Sequence, residues 1–261
     1  MSKLLLVDGH NVIHKAWNGI PEKLLPDGRP VHGVIGFVSI VTKLIKLTEP
    51  THVLVVFDPE EKPSRATLYP PYKDNRHDYG GKPLRENPFS QLAGIIVALD
   101  SLRIKYVVQP GCEADDMIAS YASRVPCEAV IASADTDFLQ LVCEKTTMLR
   151  YHWKNPVLFT EALVQEKYGI PPTSFLAYKS LIGDKTDNIS GIKGIGTKTA
   201  IKVLNGQKAL SGEEREIFER NLSLIKLDTS IELPYSLKEL SFGNSFKGFK
   251  VYEYLHGIGV L

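Results

Sequence analysis

The chain has 261 residues, 43% of them hydrophobic and 23% charged, and its net charge is +1. That supports one large globular domain, or a main domain with a small C-terminal appendage, and it argues against a disordered or low-complexity chain. The near-zero charge counts against nucleic-acid binding by bulk charge, unless acids gather in a site while bases line a groove. Three cysteines, Cys112, Cys127 and Cys143, have no CxxC spacing, which argues against a disulfide framework and fits a reducing, cytoplasmic compartment. No stretch reaches the roughly 18 apolar residues of a membrane span, and the first apolar run is too short for a signal peptide.

In chain order, Lys3 to Val7 reads as a buried strand ending at Asp8, with Asn11 as a candidate cap for the next helix. Val34 to Leu47 has helical spacing, stopped by Pro50. His52 to Phe57 is a second strand, ending at Asp58. An acid at the end of a parallel strand lies where open α/β sheets place ligands, although a lone Asp there is more often a turn residue.

The stretch from Pro59 to Pro88 holds prolines at 59, 63, 70, 71, 83 and 88, and a Gly80-Gly81 pair. It carries Lys62, Arg65, Lys73, Arg76, Lys82 and Arg85 against Asp74 and Asp78, with Tyr69, Tyr72 and Tyr79 between them. It is too long for an ordinary connection. Bases interleaved with aromatics suit a single nucleic-acid strand; the alternative is a solvated insertion.

A helical pattern resumes at Phe89 to Ile104, then a short strand at Lys105 to Val108. Glu113, Asp115 and Asp116 open a helix through Tyr121. They complement its dipole, and as ligands Glu113 and Asp116 share a face that Asp115 does not. Cys112 beside them reads as a small buried filler. A strand at Ala129 to Ser133 leads to Asp135 and Asp137. Short strands follow at Met148 to Tyr151 and Val157 to Phe159, separated by Trp153 and Asn155-Pro156. Thr160 and Pro171-Pro172 start two helices, the second ending at Gly183, before Asp184 and Asp187.

Gly191, Gly194 and Gly196, with Lys193, form a glycine-rich turn that opens a helix at Thr197 bearing Lys198 and Lys202. Such a turn lets backbone N–H groups approach an anion, the helix adds its dipole, and buried Ile192 and Ile195 would keep it rigid. This is the pattern of a helix–hairpin–helix gripping a phosphate; the alternative is a plain turn between helices. Gly212 to Leu227 is helical. Phe242, Phe246, Phe249, Tyr252, Tyr254 and Leu255 are expected to pack back on the main domain. The histidines show no ligand spacing and read as structural or solvated.

Taken together, nine acids occupy five places, four of them after strands or their short loops. Converging carboxylates need cations, and oxygen-only ligands select Mg²⁺ or Mn²⁺ rather than zinc. Two such ions about 4 Å apart support phosphodiester hydrolysis. The ordered set VDGxN (Val7 to Asn11), FD (Phe57-Asp58), YPPYKxxR (Tyr69 to Arg76), EADD (Glu113 to Asp116), SADTDFLQL (Ser133 to Leu141) and GDKTDNIxGIKGIGxKTA (Gly183 to Ala200) resembles the flap-endonuclease-like 5′→3′ nucleases. The nearest likeness is to their bacterial branch, free-standing or fused to DNA polymerase I, over nearly the whole chain.

The resemblance implies an α/β fold: a central mixed, mostly parallel sheet flanked by helices, a helical arch, and a C-terminal helix–hairpin–helix. Residues 1–170 would form the nuclease core, with the arch at about 59–90, and residues 171–261 the hairpin region and a packing segment. It implies cleavage of DNA bearing a 5′ flap, overhang or gap, by a monomer without membrane attachment. Asp8, Asp58, Glu113 and Asp115 are similar to a first metal site, with Asp116 as an outer ligand. Asp135, Asp137, Asp184 and Asp187 are similar to a second. Lys73 and Arg76 resemble arch bases that engage the scissile phosphate, and Tyr72 an aromatic that stacks on a base. The loop Ser190 to Gly196 resembles one that holds K⁺ through carbonyls. The stretch HDYGGKPLREN after Arg76 departs from the family's acidic-proline arch. Two other readings are a DNA-binding protein without turnover, which the retained second-site acids argue against, and a small-molecule phosphohydrolase, which leaves the basic insertion and the hairpin unexplained.

Overall fold

The computed structural model describes residues 2–61, 64–152, 154–243, 246 and 248–261. A six-stranded sheet has the order β3-β2-β1-β4-β5-β6. The strands are β1 (Lys3–Asp8), β2 (His52–Phe57), β3 (Lys105–Val108), β4 (Glu128–Ala132), β5 (Thr146–Arg150) and β6 (Val157–Phe159). All neighbours pair in parallel except β5 and β6, which run antiparallel. The order reverses between β1 and β4, so the carboxyl ends of these two central strands flank the switch point, where an open sheet leaves a crevice.

Both faces of the sheet are covered, as the unbroken apolar run of β1 requires. Leu4 and Leu6 point into one core with Met117, Tyr121, Phe138 and Leu181, while Leu5 and Val7 point into the other with Phe37, Leu44 and Leu99. This is the period-2 alternation of a strand, buried on both sides. Helices α1 (Gly9–Gly19), α2 (His32–Thr48) and α4 (Leu92–Leu102) belong to the second face; α5 (Ala114–Arg124) belongs to the first. Asn11 is not the cap of α1. Asp8 is, its carboxylate accepting the Asn11 N–H at 3.0 Å. The strand therefore turns into helix three residues earlier than a cap at Asn11 implies.

Between residues 59 and 90 the only α-helix among the described residues is α3 (Arg65–Leu68). The expected helical arch is mostly turns, because Pro70, Pro71 and Gly80-Gly81 interrupt any longer helix. Expectations placed on Lys62, Pro63 and Trp153 lie outside the described residues. Beyond β6 come α6 (Glu161–Tyr168) and α7 (Phe175–Ile182), then a small hairpin of β7 (Gly183–Asp184) and β8 (Ile189–Ser190). Helices α8 (Thr197–Leu204), α9 (Gly212–Ile225) and α10 (Val251–Gly257) complete the chain. Phe242, Phe246 and Leu255 join the core under α2 and α4, as expected of the C-terminal segment. Tyr252 does not: it is 47% exposed, with the Lys23 ammonium 4.3 Å from its ring.

Candidate metal centre and nucleic-acid interface

The carboxylates collect at the switch point. Asp8 accepts the Ser133 hydroxyl at 2.6 Å besides capping α1. Burial pushes its pKa up to about 7, with Asp58 and Asp135 adding to the rise and the two hydrogen bonds opposing it. Asp58 accepts the Ala114 N–H at 2.8 Å and so pins the start of α5 to the end of β2. Asp135 accepts the Asp137 N–H at 2.8 Å and shapes the turn after β4. Burial also raises the Asp115 pKa well above the usual range; Lys73 opposes that, and Asp135, Asp58 and Asp8 add to it. These four acids line one cavity of about 620 Å³, which Arg76 also lines.

A second group lies beside it. Asp137, Asp184 and Asp187 each turn one carboxylate oxygen to within 4.8 Å of the others. Lys179 of α7, 5% exposed, donates to both Asp137 and Asp184. Burial raises Asp137 to about 7 even so. At Asp184 burial would also raise the pKa, but Lys179 and the Thr186 N–H outweigh it and hold the group below its ordinary value. An all-oxygen donor set of this spacing fits a hard divalent cation.

The three acids at the start of α5 part company, as their spacing predicts. Asp115 faces the cavity. Glu113 is bound by Arg65 and Lys73, and Asp116 meets Arg65 in a two-pronged pair at 2.8 Å while accepting the Asp228 N–H. Glu113 lines an adjoining cavity of about 340 Å³ with Asp58, Lys73 and Arg76, apart from Asp8. Lys73 also lies 3.9 Å from Asp115 and from Asp187, and Arg76 bonds Asp187 at 2.7 Å. Tyr72 does not present its ring to a base. It is 5% exposed and its hydroxyl donates to Glu113 at 3.2 Å. Cys112 is buried and its thiol is pushed up to about 11, the inert filler that was expected.

Two features escape the sequence reading. Lys179 is one: a lysine inside the apolar run FLAYKSLI was the available signal. The other is that His10, His14 and His77 line the 620 Å³ cavity with Tyr79 and Phe89. His10 and His14 lie 4.7 and 5.2 Å from the Phe89 ring, and burial, with Arg76 nearby, lowers both their pKa values. Helical spacing puts His10 and His14 on one face of α1, but only the fold brings His77, Tyr79 and Phe89 to them.

The glycine turn divides into two jobs. Gly191 is a packing residue: a Cβ there would lie 2.2 Å from the Ile182 carbonyl oxygen. Gly194 (φ 81°) and Gly196 are open, and Gly196 caps α8 without a side-chain bond. Ile192 and Ile195 are buried beneath, while Lys193, Lys198 and Lys202 are exposed.

The 5′-3′ exonuclease N-terminal resolvase-like domain matches residues 3–169, and the 5′-3′ exonuclease C-terminal SAM fold matches residues 170–221. A 5′-3′ exonuclease of Aquifex aeolicus is 31% identical over 92% of this chain and 86% of its own length. The DNA polymerase I of Caldicellulosiruptor bescii is 33% identical over 86% of this chain, which spans only 26% of that longer protein. A bacteriophage T5 flap endonuclease, solved as a pseudo-enzyme-product complex with DNA and metal ions, superimposes with a TM-score of 0.68. It is 22% identical, over 85% of this chain and 88% of that one. With both family domains matched end to end and a relative of similar length sharing nearly a third of its residues, the chain belongs to the 5′-3′ exonuclease family.

Proposed function

We propose that this chain is a divalent-metal-dependent, structure-specific 5′ nuclease that hydrolyses phosphodiester bonds in DNA at single-strand/duplex junctions. It acts as a 5′ flap endonuclease and as a 5′→3′ exonuclease. The observation that carries this is the placement of two carboxylate groups side by side at the switch point, roofed by Lys73 and Arg76. The DNA and metal ions bound to the phage relative support it.

In this reading Asp8, Asp58 and Asp115 hold one cation, with Glu113 and Asp116 behind them. Asp137, Asp184 and Asp187 hold the other, and Asp135 lies between the two. Mg²⁺ is the proposed ion and Mn²⁺ a substitute; bound there, such cations activate water and stabilise charge on the phosphate and the departing 3′ oxygen. Lys73 and Arg76 leave their carboxylate partners for the scissile phosphate and offset its charge. The cavity wall of His10, His14, Tyr79 and Phe89 shields that phosphate from bulk water. Residues 171–261 would grip the duplex: Lys193, Gly194, Gly196, Lys198 and Lys202 would face its backbone, and the Ser190 to Gly196 loop would hold K⁺, whose positive charge would favour a phosphate.

The test is cleavage of a 5′-flapped duplex labelled at its 5′ end, in Mg²⁺ and in EDTA, beside Asp135→Ala. Cutting near the junction is expected in Mg²⁺ only, and roughly 100-fold slower in the variant. Tight binding with no cutting in Mg²⁺ or Mn²⁺ would move the function to recognition alone.

A further inference from the structure

Two stretches more than a hundred residues apart lie side by side over the second carboxylate group. One is Pro71 to Arg76; the other is the β7–β8 loop that carries Asp184 and Asp187. Four hydrogen bonds join them. The Asn188 amide donates to the Pro71 carbonyl at 2.8 Å, and the Lys73 N–H to the Asp187 carbonyl at 3.0 Å. The Asn75 amide donates to the Lys185 carbonyl at 3.1 Å, and Arg76 to the Asp187 carboxylate at 2.7 Å. The partners run in opposite directions, 71 with 188 and 75 with 185, like rungs of an antiparallel ladder whose outer rungs are side-chain amides.

The backbone bends to make this ladder. Among the described residues, only four that are not glycine have a positive φ, and two of them are Lys73 and Asn188, each at 56°. Strain of this kind persists where surrounding contacts over-determine it, and it gathers at working sites. The ladder also extends toward the glycine turn. Asn221 and Arg220 of α9 both donate to the Ser190 carbonyl, and Arg220 lies 4.7 Å from the Tyr69 ring. Tyr72, Ile189, Leu224 and Ile225 form a small core beneath.

We propose that Asn188 and Asn75 are positioning residues for phosphodiester hydrolysis. Their amides fasten the 71–76 segment to the loop of Asp184 and Asp187, so that Lys73 and Arg76 reach the scissile phosphate in register with the carboxylates. This rests on the nuclease reading above. Asn188 does not act merely as a residue that tolerates a left-handed backbone, because its amide spans to the other segment. A misplacement of about 1 Å at such a group costs on the order of 100-fold in rate.

Asn188→Gly separates the two roles, since glycine keeps the backbone angle and removes the amide. Wild type is assayed first on the flapped duplex in Mg²⁺; failure to cut would overturn the nuclease reading itself and this inference with it. With a cutting wild type, Asn188→Gly and Asn75→Ala are each expected to lower single-turnover kcat by roughly tenfold. KM, and the Kd for the duplex in EDTA, stay within about twofold. In a Lys73→Ala, Arg76→Ala background Asn188→Gly adds less than about twofold, because both residues it positions are gone. Three results would overturn the proposal: an unchanged kcat in Asn188→Gly, a Kd that weakens in step with kcat, or a full additional loss in the Lys73→Ala, Arg76→Ala background.

Discussion

Lys179 occupies the place between Asp137 and Asp184 proposed for a cation, and it does so from a buried position on α7. Replacing one partner of a buried charge pair leaves the other uncompensated, a loss of roughly 3 kcal/mol. Lys179→Met keeps the apolar stem and removes the charge. In EDTA at neutral pH its unfolding free energy, read from urea titration, is expected to fall by that amount, and excess Mg²⁺ is expected to recover most of it. An equal deficit with and without Mg²⁺ would mean that the lysine and the cation do not share the pocket. The acids of this site were legible because their residue type and their position after apolar runs announce them. Lys179 was not, since its partners lie 42 and 5 residues away and only the packing of α7 against the β4 turn reveals them.

At the scale of elements, the turn leading into α8 was read correctly in its parts and differently in their reasons. Gly191 is glycine because the Ile182 backbone passes against it, whereas Gly194 and Gly196 have open space beside them at the helix start. Each lysine that meets a phosphate displaces a counterion, so binding should lose about 0.9 of salt slope per contact. Lys198→Ala with Lys202→Ala is therefore expected to flatten the log–log salt dependence of duplex binding by about 2, read by fluorescence anisotropy between 50 and 200 mM KCl. An unchanged slope would remove α8 from the interface. The 59–90 segment illustrates the opposite limit: its charge and its prolines and glycines marked it as special and interrupt its helix, but the burial of Tyr72 within it follows from contacts with Glu113 and the Asp187 loop.

Across the whole molecule, gathering carboxylates makes stability depend on pH and metal together. Asp8 and Asp137 have pKa values near 7 in the folded chain against an ordinary 3.8. As pH rises between these values the unfolded chain gives up those protons first, so the folded state is disfavoured progressively: the contribution is whole below about 4 and gone above about 7. Buried His10 and His14, whose pKa values are lowered, push the opposite way, and a difference measurement removes them. In EDTA, the Asp8→Asn, Asp137→Asn double variant is expected to match wild type near pH 4, to exceed it in stability increasingly up to about pH 7, and to keep that lead above. With Mg²⁺ the advantage passes to wild type, because a cation needs the ionised form. A gap that stays constant with pH would count against buried, raised acids. By itself the sequence determined the strands, the helices and the nine acids, because alternation, capping and residue chemistry are local properties written along the chain. Only the tertiary structure decided which acids share a cavity, which lysines stand between them, and which histidines wall them in. Those depend on strand order and on segments a hundred residues apart meeting, and no local pattern encodes such meetings.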